Sequence, residues 1–209
     1  MLGLLSLVIA YVLGAIPFGY LLVKFSSGQD VRDSGSGNIG ATNVLRTSGR
    51  AAAIATLALD IAKGFLAVWL AARLTGDAPG WTSLAALAVM AGHAFPVFLQ
   101  FKGGKAVASF IGAFLYLTPL PLIAVLLVFL ITVAVTRFIS AGSILAAAAF
   151  PFGVWMILHP PAPVLLAAFV AGAFIVYRHR ANWDRLRAGT EHAFTWRTQQ
   201  AHSHMRGRR

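Results

Sequence analysis

The chain has 209 residues, of which 58% are hydrophobic and only 11% charged, whereas water-soluble domains carry about 25% charged residues. This composition excludes an ordinary soluble globule and predicts a single polytopic membrane domain, and the absence of cysteine excludes disulfides, thiolate metal sites and a cysteine nucleophile. In so apolar a chain, the net charge of +11 is more typical of cytoplasmic loops, anionic lipids or anionic substrates than of nucleic-acid binding.

Seven apolar segments predict an all-α integral membrane protein with about seven transmembrane helices. A helix needs about 20 apolar residues to cross a hydrocarbon core about 30 Å thick. Five segments meet or approach that length, and the first is expected to bend near Pro17. The segment Ala106–Leu117 is too short to cross alone, so hydropathy allows seven crossings, or five if this segment and its successor form one bent helix that returns to the same side. The segments are Leu2–Phe25, Ala51–Ala72, Trp81–Phe101, Ala106–Leu117, Pro119–Thr136, Phe138–Leu158 and Ala162–Tyr177.

Lysine and arginine fall almost entirely in alternate loops, which predicts the orientation of the chain. With the N-terminus outside, every cation except Lys63 and Arg73 lies on the cytoplasmic side, and the positive-inside rule favours that orientation. The C-terminus is then cytoplasmic. We expect residues 1–194 to form one membrane domain and residues 195–209 to be a basic, disordered tail. The cytoplasmic segments are Ser26–Arg50, Lys102–Lys105, the turn at Arg137 and the tail from Arg178.

The first cytoplasmic loop crowds hydrogen-bond donors beside Arg46. Glycine-rich turns present backbone N–H groups to anions, and an arginine can hold a phosphate with two parallel hydrogen bonds. Three glycines of the loop spell G-x-G-x-x-G, but a dinucleotide site requires a preceding strand, and here a membrane helix precedes. The alternative is a flexible polar hairpin between two helices. The candidate ligands in this loop are Ser36, Gly37, Asn38, Thr42, Asn43 and Arg46.

A second candidate site is the turn Gly103-Gly104-Lys105 before the short apolar segment. It fails the P-loop pattern, because Leu99 occupies the first glycine position and Ala106 the Ser/Thr position. A helix N-terminus still attracts phosphate through its free N–H groups and its dipole, and Lys105 adds a full charge. The alternative is a basic turn bound to lipid head groups.

Three further groups of polar residues lie in or beside the apolar segments. His93 is either a buried hydrogen-bonding group or part of the site. Asp60 and Lys63 are three residues apart, so we expect them to pair on one helix face in a structural role. The turn that begins at Arg137 also carries Ser140 and Ser143, which could face the same pocket; the full set is His93, Asp60, Lys63, Arg137, Ser140 and Ser143.

The tail opens with the basic stretch Arg178–Glu191, which brings His179 and Asn182 near the proposed inner site. The alternative for this stretch is an amphipathic helix lying on anionic lipid. His179 and Asp184 also form the H-x-x-x-x-D pattern that serves as a base dyad in acyl-CoA-dependent glycerolipid acyltransferases, although a pattern this short arises easily by chance.

These motifs together resemble the bacterial acyl-phosphate:glycerol-3-phosphate acyltransferases, the PlsY family, over nearly the whole chain. Ala106, Phe138 and Trp183 depart from the residues usual in that family, which are Gly, Tyr and an aliphatic residue. None of the three removes a polar group that we place in the site. The matching motifs are Tyr11–Tyr20, Ser36–Arg46, Asp60–Gly64, Gly92-His93, Phe101–Lys105, Arg137–Ser143, His179, Asn182, Arg185-Leu186, Gly189 and Glu191.

The resemblance implies transfer of an acyl group from a fatty acyl phosphate to the sn-1 hydroxyl of glycerol 3-phosphate, at a bacterial plasma (inner) membrane and with the site toward the cytoplasm. It implies seven helices, no cofactor, no metal and no nucleic acid. It also suggests functional coupling to a soluble enzyme that makes acyl phosphate. We expect Lys105, Arg46 and His179 to be catalytic. The expected substrate-binding residues are Ser36, Gly37, Asn38, Thr42, Asn43, His93, Gly103, Gly104, Arg137, Ser140, Ser143, Asn182 and Glu191.

Two alternatives to this function stay open at the level of sequence. One is an acyl-CoA-dependent acyltransferase that uses the pair His179 and Asp184. The other is an anion transporter, since the same donors could bind phosphate and conduct it across the membrane without a chemical reaction. The acceptor of the hydroxyl proton is also open, and His93, His179 and a substrate phosphate are the candidates.

Overall fold

The computed structural model describes residues 1–195, and within that range the regular elements are ten α-helices and two short 3₁₀ turns. The expected disordered tail, residues 195–209, lies outside the described residues except for its first position. The helices are α1 (Leu2–Ala15), α2 (Phe18–Ser27), α3 (Ala41–Ser48), α4 (Arg50–Thr75), α5 (Pro79–Ala94), α6 (Val107–Leu117), α7 (Pro119–Thr136), α8 (Ile139–Leu158), α9 (Ala162–Arg178) and α10 (Arg180–Arg187).

Five stretches are long and apolar enough to cross a membrane, so the chain is a multi-pass membrane protein. A sixth is formed if α9 and α10, which meet at an angle of 52°, count as one span. Helix α6 has 11 residues and is about 16 Å long, too short to cross alone. The all-helical membrane architecture is thus confirmed, while seven crossings and the orientation stay predictions. The five stretches are Leu2–Ser27, Arg50–Thr75, Pro79–Leu99, Pro119–Thr136 and Ile139–Leu158.

Proline sets two helix breaks near the candidate site. The first span breaks at Pro17 as predicted, and the carbonyl of Ile16 there accepts a hydrogen bond from Lys63 Nζ at 2.8 Å. The third span was predicted to run as one helix to Phe101, but α5 ends at Ala94. Pro96 has no N–H to continue the helical hydrogen bonds, and a 3₁₀ turn follows it.

Glycines allow α6 to pack directly on α4. An added Cβ at Gly64 would clash with the carbonyl of Ser109 on α6, and one at Gly112 would clash with the carbonyl of Ile61 on α4. Small residues let membrane helices approach to backbone contact in this way. The contact places the N-terminal end of α6, which follows Lys105, beside α4 and α5.

Asp60 and Lys63 form the predicted pair inside α4. Lys63 Nζ lies 2.8 Å from Asp60 Oδ1, and both side chains are only 3% exposed. Because Lys63 also donates to Ile16 at the break of the first span, the pair ties α4 to that break. Its position supports the structural role expected from the sequence.

Candidate active site

The first cytoplasmic loop is folded around the side chain of Asn43, which is 1% exposed. Asn43 Nδ2 lies within 3.0 Å of the carbonyl oxygens of Val31, Ser34 and Asn38, and Oδ1 accepts from the backbone N–H of Ser36 at 2.8 Å. The loop is therefore an ordered turn and not a loose hairpin. Since the amide of Asn43 is already used, its contribution to the site is the shape of this loop.

The other predicted ligands of the loop lie on its outer surface and lead to Arg46. Ser36 and Gly37 are exposed, while Asn38 and Thr42 are half-buried. Thr42 and Arg46 are one turn apart on α3, so they share a helix face. The hydroxyl of Thr42 and the guanidinium of Arg46 therefore lie on one side of α3.

Arg46 is half-buried, and within residues 1–195 its side chain has no hydrogen-bonded or ion-paired partner. Burial lowers the pKa of Arg46 from its usual value, with a further decrease from Arg185 and an opposing effect of Glu191. An arginine still stays charged at any physiological pH. Its guanidinium is therefore available to an anionic ligand.

The Gly103-Gly104 turn is held from both sides by its neighbours. The N–H groups of Gly103 and Gly104 donate to the carbonyls of Ala94 and His93 at 3.2 and 3.1 Å. Arg178 Nη2 donates to the carbonyls of Gly103 and Gly104 at 3.3 and 2.7 Å. The glycine amides are thus engaged with α5, so the amides that can face an anion are those in the first turn of α6.

Only glycine fits this turn. An added Cβ at Gly104 would clash with the imidazole of His93, and one at Gly103 would clash with the His93 carbonyl and with Pro96. Ala106, which precedes α6, has a left-handed backbone with φ of 62°. This conformation costs about 1 kcal/mol for a residue with a Cβ, and glycine would adopt it at lower cost.

Lys105 leads into a hydrogen-bonded network that joins three distant parts of the chain. Its Nζ donates to Asn182 Oδ1, and Asn182 Nδ2 donates to Glu191 Oε1 at 2.8 Å. Ser140 Oγ donates to the same carboxylate oxygen at 3.1 Å, and Arg185 Nε donates to Oε2 at 2.8 Å. Four predicted site residues therefore meet here, together with Arg185.

The charges around Lys105 are predominantly positive. Arg46, Arg178 and Arg185 are all close enough to Lys105 to lower its pKa, and Glu191 opposes them. Burial is the largest cause, and the pKa of Lys105 falls to about 8. Burial tends to raise the pKa of Glu191, but the hydrogen bonds of the network outweigh it, so that pKa is lowered and Glu191 is ionised. Such an excess of cations suits a phosphate dianion.

His179 is buried at the junction of α9 and α10, and its Nδ1 lies 2.8 Å from the carbonyl oxygen of Ile175. A carbonyl only accepts, so Nδ1 carries the proton and Nε2 of the neutral ring is left as an acceptor. Asp184 is exposed, and in the described part of the chain no ion pair joins it to His179. The dyad of the acyl-CoA-dependent enzymes is therefore not formed.

His93 lies behind the glycine turn. Its Nδ1 is 3.2 Å from Ser109 Oγ and 3.7 Å from Asp60 Oδ1, and its ring packs against Gly104. With an exposed fraction of 4%, His93 supports the turn from the membrane interior.

Two predicted site residues, Arg137 and Ser143, lie outside the hydrogen-bonded network of Lys105 and Glu191. Arg137 ends α7 with an exposed side chain, and within residues 1–195 no hydrogen bond joins that side chain to Lys105 or Glu191. Ser143 Oγ donates to the carbonyl of Ile139 within α8 at 2.9 Å.

The sequence analysis missed Arg178 and Arg185 as members of the cluster. Four arginines lie between residues 178 and 187. They are divided between the end of α9 and the short helix α10, and their spacing in the sequence does not show which of them face inward.

The fold and the site define a class: a multi-pass helical membrane protein with a partly buried, cationic site beside broken helices, suited to anionic substrates. Residues 4–189 match the family model described as glycerol-3-phosphate acyltransferase. The match spans most of the chain, and the chain belongs to this family of acyltransferases.

Similar proteins cover nearly the same length. The glycerol-3-phosphate acyltransferase of Desulforamulus reducens is 47% identical over 183 residues, which are 87% of this chain and 90% of that protein. The one from Trichlorobacter lovleyi is 48% identical over 192 residues, covering 92% and 97%. The crystal structure of PlsY, an integral membrane glycerol 3-phosphate acyltransferase, in its glycerol 3-phosphate form has a TM-score of 0.87 at 38% identity, covering 92% of this chain and 96% of that one. Its lysophosphatidic acid form has a TM-score of 0.84 at 36% identity, covering 93% and 96%.

Proposed function

We propose that this protein transfers a fatty acyl group from an acyl phosphate to the sn-1 hydroxyl of glycerol 3-phosphate, as the first acylation of bacterial phospholipid synthesis. The products are lysophosphatidic acid and inorganic phosphate. The observation that carries the proposal is the cluster of Arg46, Arg178 and Arg185 around Lys105, which is joined through Asn182 to the single carboxylate of Glu191. Membership of the family supports glycerol 3-phosphate as the acceptor.

The cations answer an electrostatic requirement of this reaction. Both substrates carry a phosphate dianion, and two dianions about 6 Å apart at an effective dielectric constant of about 20 repel by roughly 11 kcal/mol. Arg46 offers a planar fork for one phosphate. Lys105 and the first-turn amides of α6 offer a second anion site. Fixed charges of this kind lower the barrier because they need no reorganisation during the reaction.

The chemistry needs no covalent enzyme intermediate. The hydroxyl oxygen of glycerol 3-phosphate attacks the acyl carbonyl carbon, and the bond between that carbon and the phosphate oxygen breaks. The phosphate leaves with the bonding electrons, and the hydroxyl proton passes to His179 Nε2 or to a substrate phosphate. His93 is the weaker candidate because it lies behind Gly104.

The direct test is acyl transfer by the purified protein in detergent or nanodiscs. We expect palmitoyl phosphate and glycerol 3-phosphate to give lysophosphatidic acid and one equivalent of phosphate, whereas palmitoyl-CoA should give no product. Transfer from palmitoyl-CoA alone would assign the acyl-CoA-dependent reaction instead. Movement of glycerol 3-phosphate or phosphate across proteoliposomes, with no acyl transfer, would identify a transporter.

Activity should survive removal of metal ions, because the proposed charge neutralisation comes from arginine and lysine side chains. We expect initial rates with and without EDTA to agree within about twofold. Treatment with a chelator should be compared with treatment followed by Mg²⁺ or Zn²⁺. Complete loss that one divalent ion restores would refute the metal-free mechanism.

The rate should fall on the alkaline side as Lys105 loses its proton. Its pKa is about 8, so Lys105 is charged below that pH and neutral above it. We expect kcat/KM for glycerol 3-phosphate to fall about tenfold per pH unit above the pKa. Lys105→Arg should move this decline to higher pH, if the variant is active, because arginine stays charged. A wild-type kcat/KM that is constant from pH 7 to 9.5 would contradict this role.

We propose that the N-terminus is outside and the site faces the cytoplasm. This orientation needs an odd number of crossings. The five long spans and α9 make six, so α6 must contribute one more crossing to give seven. Single cysteines at Ser48→Cys and Asp77→Cys test the orientation in a chain without native cysteine. In intact cells, an impermeant thiol reagent should label only the variant at Asp77. Labelling at Ser48 would reverse the orientation.

A further inference from the structure

Arg178 holds the backbone of the glycine turn from the end of α9. Its Nη2 donates to both carbonyls of the turn, at 3.3 Å to Gly103 and 2.7 Å to Gly104. The guanidinium also lies over the ring of Phe95, 5.1 Å from the ring centroid. Within residues 1–195, no other side chain donates to these two carbonyls. Arg178 is therefore the contact that fixes the outward side of the turn.

The inward side of the turn is fixed independently by α5. The N–H groups of Gly103 and Gly104 are engaged with Ala94 and His93, and the ring of His93 packs against Gly104. Without Arg178, the α5 contacts would remain, but two carbonyl dipoles would lose their donor. The carbonyl of Gly104 belongs to the peptide group that joins Gly104 to Lys105, so a reorientation of this group moves the backbone that carries the lysine side chain. Arg178 thus fixes the backbone from which Lys105 extends.

We propose that Arg178 is a positioning residue that holds Lys105 in place for substrate phosphate by fixing the carbonyls of Gly103 and Gly104. This inference rests on the proposed function, in which Lys105 binds a phosphate. Its action passes through Lys105, so its effect depends on the presence of that side chain. Lysine at this position would keep the charge but would not supply a planar group for the ring of Phe95.

A double-mutant cycle between Arg178 and Lys105 tests the inference. We expect Arg178→Gln to lower kcat/KM for glycerol 3-phosphate about tenfold to a hundredfold, and Arg178→Lys to restore only part of it. In the Lys105→Ala background, Arg178→Gln should cost no more than about threefold, because residues that act as a unit are not additive. Arg180→Gln is the matched control, since Arg180 is exposed and its guanidinium stacks on Tyr177, whereas the hydrogen bonds to the turn come from Arg178. It should change the rate less than about twofold.

The same cycle should be measured on the Kd of glycerol 3-phosphate, which does not depend on acyl transfer. Failure of the wild type to transfer from acyl phosphate would refute the proposed function, while the binding cycle would still decide the role of Arg178. Equal losses from Arg178→Gln with and without Lys105, or wild-type kinetics and affinity in Arg178→Gln, would overturn the inference. If Arg178→Gln does not fold, Arg178→Lys takes its place in the cycle.

Discussion

Lys105→Ala is expected to lower kcat/KM for glycerol 3-phosphate by at least about tenfold to a hundredfold, and Arg46→Ala to do the same. Each cation would hold a phosphate oxygen through a charge-assisted hydrogen bond, worth roughly 1.5–3 kcal/mol. In the partly buried pocket the loss is larger if the phosphate charge is left unpaired. The measurement is steady-state kinetics on equal amounts of folded, membrane-inserted protein.

Arg46→Lys and Arg73→Ala are the controls for this result. Arg46→Lys should not restore full activity, because lysine lacks the planar fork that meets two phosphate oxygens. Arg73 ends α4 on the proposed outer side and stacks on Trp69, with its centre 5.6 Å from the ring centroid. Arg73→Ala should be nearly silent. The phosphate site is wrong if both inner alanine variants keep wild-type kinetics, or if Arg73→Ala is equally damaging.

Lys63→Met should be strongly destabilising, because it removes the ion-pair partner of Asp60 inside α4. Breaking a buried ion pair by removing one partner costs about 3–5 kcal/mol. Lys63 also donates to the Ile16 carbonyl, which would keep only the backbone N–H of Phe18 as a donor at 3.2 Å. We expect a clear decrease in the thermal unfolding midpoint of the purified protein, followed by circular dichroism in detergent.

The double variant Asp60→Leu with Lys63→Met distinguishes the cost of an unpaired buried charge from the cost of altered packing. It removes both charges together, so it should be more stable than Lys63→Met alone. Lys24→Met, at an exposed position near the end of α2, is the matched control and should change stability by less than about 0.5 kcal/mol. Equal midpoints for the wild type and Lys63→Met would show that the pair does not hold α4 to the first span.

Several features of the fold follow from local properties of the chain. The apolar runs are visible in the sequence because a bilayer requires about 20 apolar residues in succession. The break at Pro17 and the separation of α6 from α7 were also predictable, since proline and its missing N–H act within one turn. The end of α5 at Ala94 was not predicted, although Pro96 was present, because the apolar side chains continue through the 3₁₀ turn.

The candidate site was only partly predictable, because its contacts join segments that are distant in the sequence. The glycine turn was recognised from its sequence, and Gly103 and Gly104 were expected to bind substrate. The structure instead engages both glycine N–H groups with α5 and gives their carbonyls to Arg178. No local pattern shows where a peptide group points when its partner lies more than seventy residues away.

The sequence alone determined that this is a helical membrane protein and, apart from the end of α5, where its long helices begin and end to within a few residues. Those properties depend on hydropathy and on breaks that act within a few residues of the chain. Tertiary structure decided that Arg178 and Arg185 join Lys105 and that Arg137 does not. That choice depends on the 52° bend between α9 and α10 and on the packing of α6 against α4 through their glycines. Contacts between distant segments set both, so which arginines at the end of α9 and in α10 face inward is decided only once those segments meet.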